Sequence, residues 1–289
     1  MTQSKEGQHP IKRLIVTSDD FGAAIAVNEA VEQAHLNGIL TAASLMVSGD
    51  AAADAVARAR TMPKLGVGLH LVLVEGRPTL PPDQVPDLVD ADGHFRTDMV
   101  RAGITIFTKP AARRQLAAEV EAQFAAFAAT GLPLDHVNAH KHFHLHPTVA
   151  SLVFDAARRT GGFALRIPSE PAAVIHAIEP RSGSLAERIA APWTAMLAAR
   201  ARRVGLRIAD QTFGFAWSGA MTAPRLHGLL VRLPPGVTEI YTHPATSTDF
   251  KGAAPGYRYS EELAALSAPE TRSAAAASGA RLCGFGDLS

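Results

Sequence analysis

Short apolar segments alternate with longer helical segments along almost the whole chain. The predicted strands are 13–18, 39–47, 65–73, 134–140, 164–167, 207–210, 237–241 and 281–285. The predicted helices are 24–37, 51–61, 111–130, 148–159, 185–203, 222–231 and two within 259–279. Such alternation is typical of an α/β fold with a mainly parallel sheet. Because the sheet would hold about seven strands and no glycine-rich dinucleotide fingerprint is present, we favour a barrel, complete or incomplete, over an open doubly wound sheet.

The stretch 74–110 interrupts this alternation. It holds Pro78, Pro81, Pro82 and Pro86 and no long periodic pattern, so we expect an extended surface excursion. Connections of this length in a compact domain are usually functional or mobile. We expect one domain over 13–289, preceded by a polar tail at 1–12.

Composition excludes several classes of protein. Lys and Arg number 28 against 27 Asp and Glu, so net charge gives no case for a nucleic-acid partner. The single cysteine, Cys283, excludes an intramolecular disulfide and a cysteine-based zinc site, and we interpret it as a small structural residue. No signal-peptide core and no uncharged apolar run of roughly 18 residues is visible, which predicts a cytoplasmic protein.

Acidic and imidazole side chains follow the ends of several predicted strands. Asp19 and Asp20 follow the first strand, and His70, His140 and His243 lie at or just past the ends of three others. In α/β barrels the carboxyl ends of the strands meet on one face, where the chemistry takes place. The sequence therefore predicts that these five side chains form one site.

A histidine-rich segment covers residues 136–146. His136, His140, His142, His144 and His146 share one parity, so an extended chain would present all five on one face. Neutral imidazole is the commonest protein ligand for zinc and similar metals. The alternatives are a surface cluster, a pH sensor or histidines that only bond one another; we favour a metal or catalytic site.

An aspartate with two histidines would leave coordination positions open for water and substrate. A second carboxylate beside the metal could accept the proton of the attacking water. Asp19 and Asp20 offer such a pair, and because neighbouring side chains on a strand diverge, we expect them to have two different roles. Taken alone, the dipeptide could equally form an Asx-turn or a helix N-cap.

Four motifs occur in order from about Leu14 to the C-terminus. They are Asp-Asp-Phe-Gly at 19–22, Gly-Leu-His at 68–70, His140 opening the histidine-rich run, and Thr-His-Pro-Ala at 242–245. Together they resemble the YdjC/ChbG family of carbohydrate deacetylases. The resemblance implies a distorted TIM-like (β/α) barrel, one divalent metal ion (Zn, Mg, Co or Mn) and removal of an N-acetyl group from a sugar.

The resemblance also implies roles for individual residues. Asp20, His70 and His140 would bind the metal, Asp19 would be the general base, and His243 would act as an acid or stabiliser near the leaving amine. Arg166 would contact substrate or orient Asp19. The family often has Asp-Ser-His-His-His at 138–142; here Asn138 can accept a hydrogen bond but brings no charge, and a lysine replaces one histidine.

The sequence of residues 135–147 is most similar to the hopanoid-biosynthesis-associated branch (HpnK), which implies an N-acetylglucosaminyl hopanoid as substrate. His142 and the aromatic residues Phe213, Phe215 and Trp217 are then candidates for substrate binding, with packing away from the site as the alternative for the aromatics. The 185–203 helix could rest on anionic lipid at the inner membrane, although a core-facing apolar stripe is the favoured interpretation. Its apolar residues are Leu185, Ile189, Trp193 and Leu197, and the arginines around it are Arg181, Arg188, Arg200, Arg202 and Arg203.

Several alternatives stay open at this point. Another metal-dependent hydrolase, such as a chitooligosaccharide deacetylase or a phosphoesterase, would use a similar constellation of residues. A non-catalytic histidine-rich metal-binding protein would need no base. The sequence does not fix the metal or the oligomeric state, for which a homodimer is one option.

Overall fold

A computed structural model describes residues 12–161, 163–180 and 185–288. The strands in these ranges are β1 Lys12–Phe21, β2 Ala42–Leu45, β3 Gly66–Leu71, β4 His136–Ala139, β5 Ala164–Leu165, β6 Gln211–Phe213, β7 Gly236–Thr242 and β8 Ala280–Leu282. The helices are α1 Ile25–Asn37, α2 Ala52–Thr61, α3 Met99–Thr108, α4 Pro110–Ala129, α5 Pro147–Thr160, α6 Ala172–Ile178, α7 Leu185–Arg203, α8 Ala223–Val231, α9 Tyr259–Ser267 and α10 Pro269–Ala277. The predicted tail lies outside the described residues except for Lys12, which belongs to β1.

The sheet is organised around β1, the longest of these strands. Its order is β5-β4-β3-β2-β1-β7-β6, and every pair in it is parallel. One edge of β1 pairs with β7 over Lys12–Ser18; the other pairs with β8 at its start and with β2 from Thr17 onward. The chain thus folds as a single α/β domain in which the carboxyl ends of the strands share one edge.

The sheet curls until its two outer strands approach each other. The backbone N–H of Leu165 donates to the carbonyl of Arg207 at 2.8 Å, and that of Thr212 donates to the carbonyl of Ser169 at 3.0 Å. These bonds join the β5 side of the sheet to the segment around β6. The predicted barrel is confirmed in a coarser form, as a curled parallel sheet that closes incompletely.

The interior of the curled sheet is apolar at its base and polar above. At the base, Ile15, Ala42 and Ala164 pack against Phe285 and Leu288, so the C-terminal segment plugs the barrel. The buried polar side chains one level higher point toward one another, and they are Thr17, Ser44, His136, Arg166 and Glu239. The larger hydrophobic cluster lies on the other face of the sheet, against the helices. Cys283 is buried near the plug, as its interpretation as a structural residue required.

Among the segments that differ from the sequence prediction are 74–110, 207–210 and the unpredicted helix α6. The excursion 74–110 contains α3, which begins where the Asp98 carboxylate accepts a bond from the backbone N–H of Arg101 at 2.9 Å. The strand predicted at 207–210 is wrong, since β6 comes directly after it. Asp210 instead caps the start of β7 by accepting from the backbone N–H of Val237 at 2.9 Å, and Arg207 takes part in barrel closure.

The helix α7 has the predicted bounds, and Trp193 and Leu197 on it face inward. Leu197 is buried, and the Trp193 indole donates to the carbonyl of Leu145 at 2.8 Å. Arg200 lies over the Phe154 ring and Arg202 is 3.7 Å from Asp210. This is the core-facing interpretation, and it leaves Trp193 and Leu197 unavailable to a lipid surface. Arg181 and the side chains of Leu185, Arg188 and Ile189 lie outside the described part. In the described part, no helix is both long and apolar enough to cross a bilayer.

Glycine at position 68 makes room for an imidazole inside the barrel. A Cβ atom added to Gly68 would lie 2.5 Å from atoms of the His136 ring, which enters from the neighbouring strand β4. The ring also stacks on Phe285 of the plug, with centroids 4.5 Å apart. Only a residue without a side chain at position 68 fits this packing.

We therefore expect Gly68→Ala to lower the free energy of unfolding by about 1–3 kcal/mol, because the ring has no space to move away. Urea denaturation of the metal-free protein measures the change. Gly103→Ala in α3 is the matched control: its added Cβ would make an ordinary 3.4 Å contact with His146. Because Gly103 lies inside a helix, Gly103→Ala should raise the free energy of unfolding by about 0.5–1 kcal/mol. Equal stabilities for the two variants would contradict the placement of His136.

Candidate metal centre

A β-bulge at the end of β1 brings two successive aspartates to the same cavity. The register with β2 shifts between Ser18 and Phe21, and Asp20 has a φ of +62°, in the left-handed region. In a regular strand Asp19 and Asp20 would face opposite sides of the sheet; a bulge re-aims a side chain in this way. Both residues line the cavity. The strained backbone at Asp20 thus lies at the functional end of the strand.

Three side chains from separate parts of the sheet meet at this point. Asp20 Oδ1 is 3.0 Å from Nδ1 of His140 and 3.2 Å from Nε2 of His70. His70 comes from β3, and His140 follows β4. The potential ligand atoms all lie within 4.8 Å of one another, and no other such group of His, Cys, Asp or Glu occurs in the described ranges. The predicted triad of metal ligands is therefore brought together.

The hydrogen bonds of Asn138 test whether this triad fits a cation. The Asp19 carboxylate can only accept, so the amide nitrogen of Asn138 must face it, at 3.0 Å. The amide oxygen then accepts from Nδ1 of His70 at 2.7 Å, which places a proton on Nδ1. In neutral His70 the Nε2 lone pair consequently points at an acceptor-only carboxylate oxygen, and this buried Nε2 has no hydrogen-bond partner. Two such atoms 3.2 Å apart require a proton or a metal cation between them.

The charges around the triad agree with this geometry. Burial on its own would raise the pKa of Asp20, but the charge and hydrogen bond of His140, with the bond to His70, hold that pKa well below its usual value. Burial lowers the pKa of His70, yet Asp20 and Asp19 outweigh it and raise that pKa above its usual value. A proton therefore competes with a metal for the position between His70 and Asp20.

Asp19 is held as a carboxylate beside the triad. Ser44 Oγ and Asn138 Nδ2 donate to its Oδ1 at 3.1 and 3.0 Å, and Arg166 Nη1 donates to its Oδ2 at 2.5 Å. Burial alone would raise the pKa of Asp19, but the adjacent Arg166 charge and bond lower it far below its usual value. These described residues use three of about four acceptor positions of the carboxylate, which leaves one for a molecule in the cavity.

Arg166 lies beneath the cavity and does not reach it. Its side chain is fully buried between Asp19 and Glu239, whose Oε1 accepts from Nε at 2.8 Å. Its guanidinium also lies 4.6 Å from the centre of the Tyr241 ring. Arg166 is not among the residues that line the cavity, and its geometry fits orientation of Asp19, one of the two roles that the resemblance implied. Sequence reasoning missed Glu239; an acidic residue inside an apolar strand was the available signal.

A chain of hydrogen bonds runs below Asp19 through the barrel interior. Asp135 Oδ2 is 3.0 Å from Nδ1 of His136, and Nε2 of His136 is 2.9 Å from the hydroxyl of Ser44. The same hydroxyl contacts Asp19 and Asn138. Ser44 was not predicted to take part in the site, and His136 was predicted only as one of the five clustered histidines. Both support Asp19 from inside the barrel.

The prediction that five histidines share one face is wrong beyond Ala139, where β4 ends. Lys141 and His142 both have left-handed backbone angles, so the chain turns sharply after His140. His144 lies under the turn, with Nε2 2.8 Å from the Arg166 carbonyl, and burial lowers its pKa to about 4. His146 instead begins α5, where its Nδ1 accepts from the backbone N–H of Thr148. Only His140 of the five joins the triad.

The aromatic residues predicted to bind substrate also differ in their positions. Phe213 is fully buried against the helices and Trp217 is 4% exposed, and neither residue lines the cavity. Phe215 is 45% exposed, with its ring 5.7 Å from that of His142. His142 Nε2 is 2.9 Å from the Tyr241 hydroxyl, and burial keeps the pKa of His142 well below its usual value. The pair lies behind the triad, outside the residues that line the cavity.

His243 completes the cavity from the end of β7. Its backbone N–H donates to the buried carboxylate of Glu262, and its ring lies edge-on to Tyr241 and Tyr257. Its Nδ1 is buried without a hydrogen-bond partner among the described residues. The open cavity has a volume of about 400 Å³, within the usual range for small-molecule sites. Its aromatic walls are Phe95, Phe250 and Tyr259.

Comparisons with known proteins find relatives over most of the chain. A family model described as YdjC-like protein matches residues 13–277. The chain is 39% identical to a carbohydrate deacetylase of Brevibacillus brevis over 50% of this chain and 55% of that protein, so this alignment spans about half the length of the curated relative. It is 31% identical to a mouse carbohydrate deacetylase over 96% of both chains. A crystal structure from Enterococcus faecalis V583, described as a candidate cellobiose-phosphate cleavage protein, superposes with a TM-score of 0.77 at 25% identity and covers 96% of this chain and 99% of its own.

Asn138 accepts from His70 and donates to Asp19, and two variants at this position test the first of these contacts. Asn138→Leu removes the acceptor that orients His70, and we expect metal affinity to fall about 10–100-fold. Asn138→Asp keeps an acceptor for His70, so its metal affinity should stay within a few-fold of the parent. Competition with a chromophoric chelator gives both affinities. Equal losses in the two variants would contradict the assignment of the amide oxygen to His70.

Proposed function

The chain belongs to the YdjC-like family, and we propose that it is a metal-dependent hydrolase that removes the N-acetyl group from an N-acetylglucosamine-type sugar. One observation carries the proposal. The bare Nε2 of His70 faces the Asp20 carboxylate at 3.2 Å, directly beside a second carboxylate, Asp19, that is fixed in the ionised state. A cation-binding pair next to a separate base is the arrangement that hydrolysis of an amide requires.

Asp20, His70 and His140 would hold one divalent ion, which when bound acidifies water and polarises a carbonyl oxygen. Nitrogen ligands favour Zn or Co, whereas the carboxylate also suits Mg or Mn. Asp19 faces the same cavity with one acceptor position free, so it can orient the attacking water and take its proton. Arg166 and Asn138 keep that carboxylate ionised and in place.

We assign to His243 the protonation of the departing amine. It lies in the cavity wall, and Glu262 fixes its backbone. The cavity-lining Tyr259 is a weaker acid than an imidazolium, because burial raises the pKa of Tyr259 to about 12. Proton transfer from His243 would release the free amine, with acetate as the other product.

For the substrate we propose an N-acetylglucosaminyl hopanoid, on the resemblance of residues 135–147 to the hopanoid-associated branch. The aromatic walls of the cavity offer faces on which a sugar ring can stack. A chitooligosaccharide would present the same acetamide without a lipid, and it is the natural comparison. Phosphoester cleavage at a two-metal site would call for more carboxylate ligands than the single Asp20 at the triad.

The function is tested by acetate release from an N-acetylglucosaminyl hopanoid and from diacetylchitobiose. We expect one acetate per free amine formed, loss of release after chelation, and recovery when a divalent metal is restored. Faster turnover of the lipid-linked sugar would support the hopanoid assignment. No acetate from either compound, with metal confirmed bound, would contradict the deacetylase; phosphate release from sugar phosphates would then identify a phosphoesterase.

The role of Asp19 is tested separately from the metal. Asp19→Asn should lower kcat about 10²–10⁴-fold, because the base is lost. It should keep metal affinity close to the parent value, since Asp20, His70 and His140 are intact. His70→Ala is the contrasting variant and should lose both metal and turnover, as judged by metal titration and acetate release. Unimpaired turnover in Asp19→Asn with metal bound would exclude Asp19 as the base.

A further inference from the structure

The helix α3 exposes an apolar stripe to solvent. Val100, Ile104 and Phe107 are 73%, 58% and 63% exposed. Their spacing of i, i+4 and i+7 places them on one face of the helix. The opposite face is buried through Ala102, Gly103 and Ile106. Single exposed apolar residues are ordinary, but three aligned on a ten-residue helix form a patch without a partner in the described structure.

Positive charge predominates in the sequence around this stripe, after the capping Asp98. Residues 99–118 include Arg101, Lys109, Arg113 and Arg114 and no aspartate or glutamate. All four cations are exposed. Lys109 is 3.7 Å from Asp87, whereas the three arginines form no ion pair with the described residues. An apolar stripe with three such arginines beside it is complementary to a surface that is apolar inside and anionic at its edge.

The stripe lies beside the opening of the catalytic cavity. Phe95 and Thr97 line the cavity, and Asp98 begins α3 directly after them. At the other end, the Phe107 ring is 6.5 Å from that of His146, which closes the turn that follows His140. Because a ten-residue helix is about 15 Å long, the whole stripe stays close to the cavity mouth.

We propose that α3 docks the protein on an anionic lipid bilayer. Val100, Ile104 and Phe107 enter the boundary between headgroups and acyl chains, and the flanking cations contact lipid phosphates. The bilayer is favoured over a second copy of this chain. A two-fold contact through α3 would bring like charges together, and three side chains bury far less than the roughly 1,000 Å² typical of a stable interface. The proposal does not depend on the hydrolase assignment.

The test is co-sedimentation of the full chain with phosphatidylcholine vesicles and with vesicles containing one quarter phosphatidylglycerol. We expect binding to the anionic vesicles that weakens as salt rises, and at least tenfold weaker binding to the neutral ones. The double variant Ile104→Glu/Phe107→Glu should lose at least tenfold in affinity. Arg113→Glu/Arg114→Glu should lose affinity for anionic vesicles and show a flatter salt dependence.

Leu36→Glu and Val231→Glu are the matched controls, because these side chains are 63% and 61% exposed on α1 and α8. They should bind vesicles as the parent does. Urea denaturation should give all variants parental stability, since each change lies on the surface. No binding by the parent, equal binding to both vesicle types, or equal losses in the controls would overturn the proposal. So would a dimer that the double variant abolishes while vesicle binding is unaffected.

Discussion

The buried ion pair between Arg166 and Asp19 holds strands of the barrel together and also keeps a cavity-lining carboxylate ionised. Arg166 follows β5, Asp19 ends β1, and Glu239 in β7 accepts from the same guanidinium. A charge taken out of water is costly unless it is paired, and removing one partner of a buried pair costs about 3–5 kcal/mol. The sheet closes incompletely between β5 and β6, so this pairing also links strands on both sides of the gap. The same contact keeps Asp19 ionised.

One amide then fixes the direction of the neighbouring bonds. Since Asp19 can only accept, Asn138 must turn its nitrogen toward Asp19 and its oxygen toward His70. That choice sets the tautomer of His70 and leaves the Nε2 lone pair facing Asp20. An aspartate at position 138, as the family often has, could still orient His70 but would add a second carboxylate beside Asp19. The amide supplies both bonds without added charge.

Position in sequence located the site because the carboxyl ends of parallel strands share one edge. That rule alone predicts that Asp19, Asp20, His70, His140 and His243 lie together. It could not find Ser44, which is a short polar residue in a four-residue strand and becomes important only through contacts with β1 and β4. The parity argument failed because it assumed an extended chain, whereas two left-handed residues turn it after His140. Phe213 and Trp217 show the same limit: aromatic composition does not say which face of a short strand or turn packs inward.

The contacts that hold Asp19 also restrict what it can do as a base. The charge and hydrogen bond of the buried Arg166, with the nearby His70, lower the pKa of Asp19 far below its usual value, so the carboxylate has little affinity for a proton from ordinary water. In the proposed reaction, a cation held by Asp20, His70 and His140 would acidify the attacking water and so favour transfer of its proton to Asp19. Without that cation, Asp19 would be a much weaker base toward water. This dependence ties the proposed reaction to the metal through the electrostatics of Asp19.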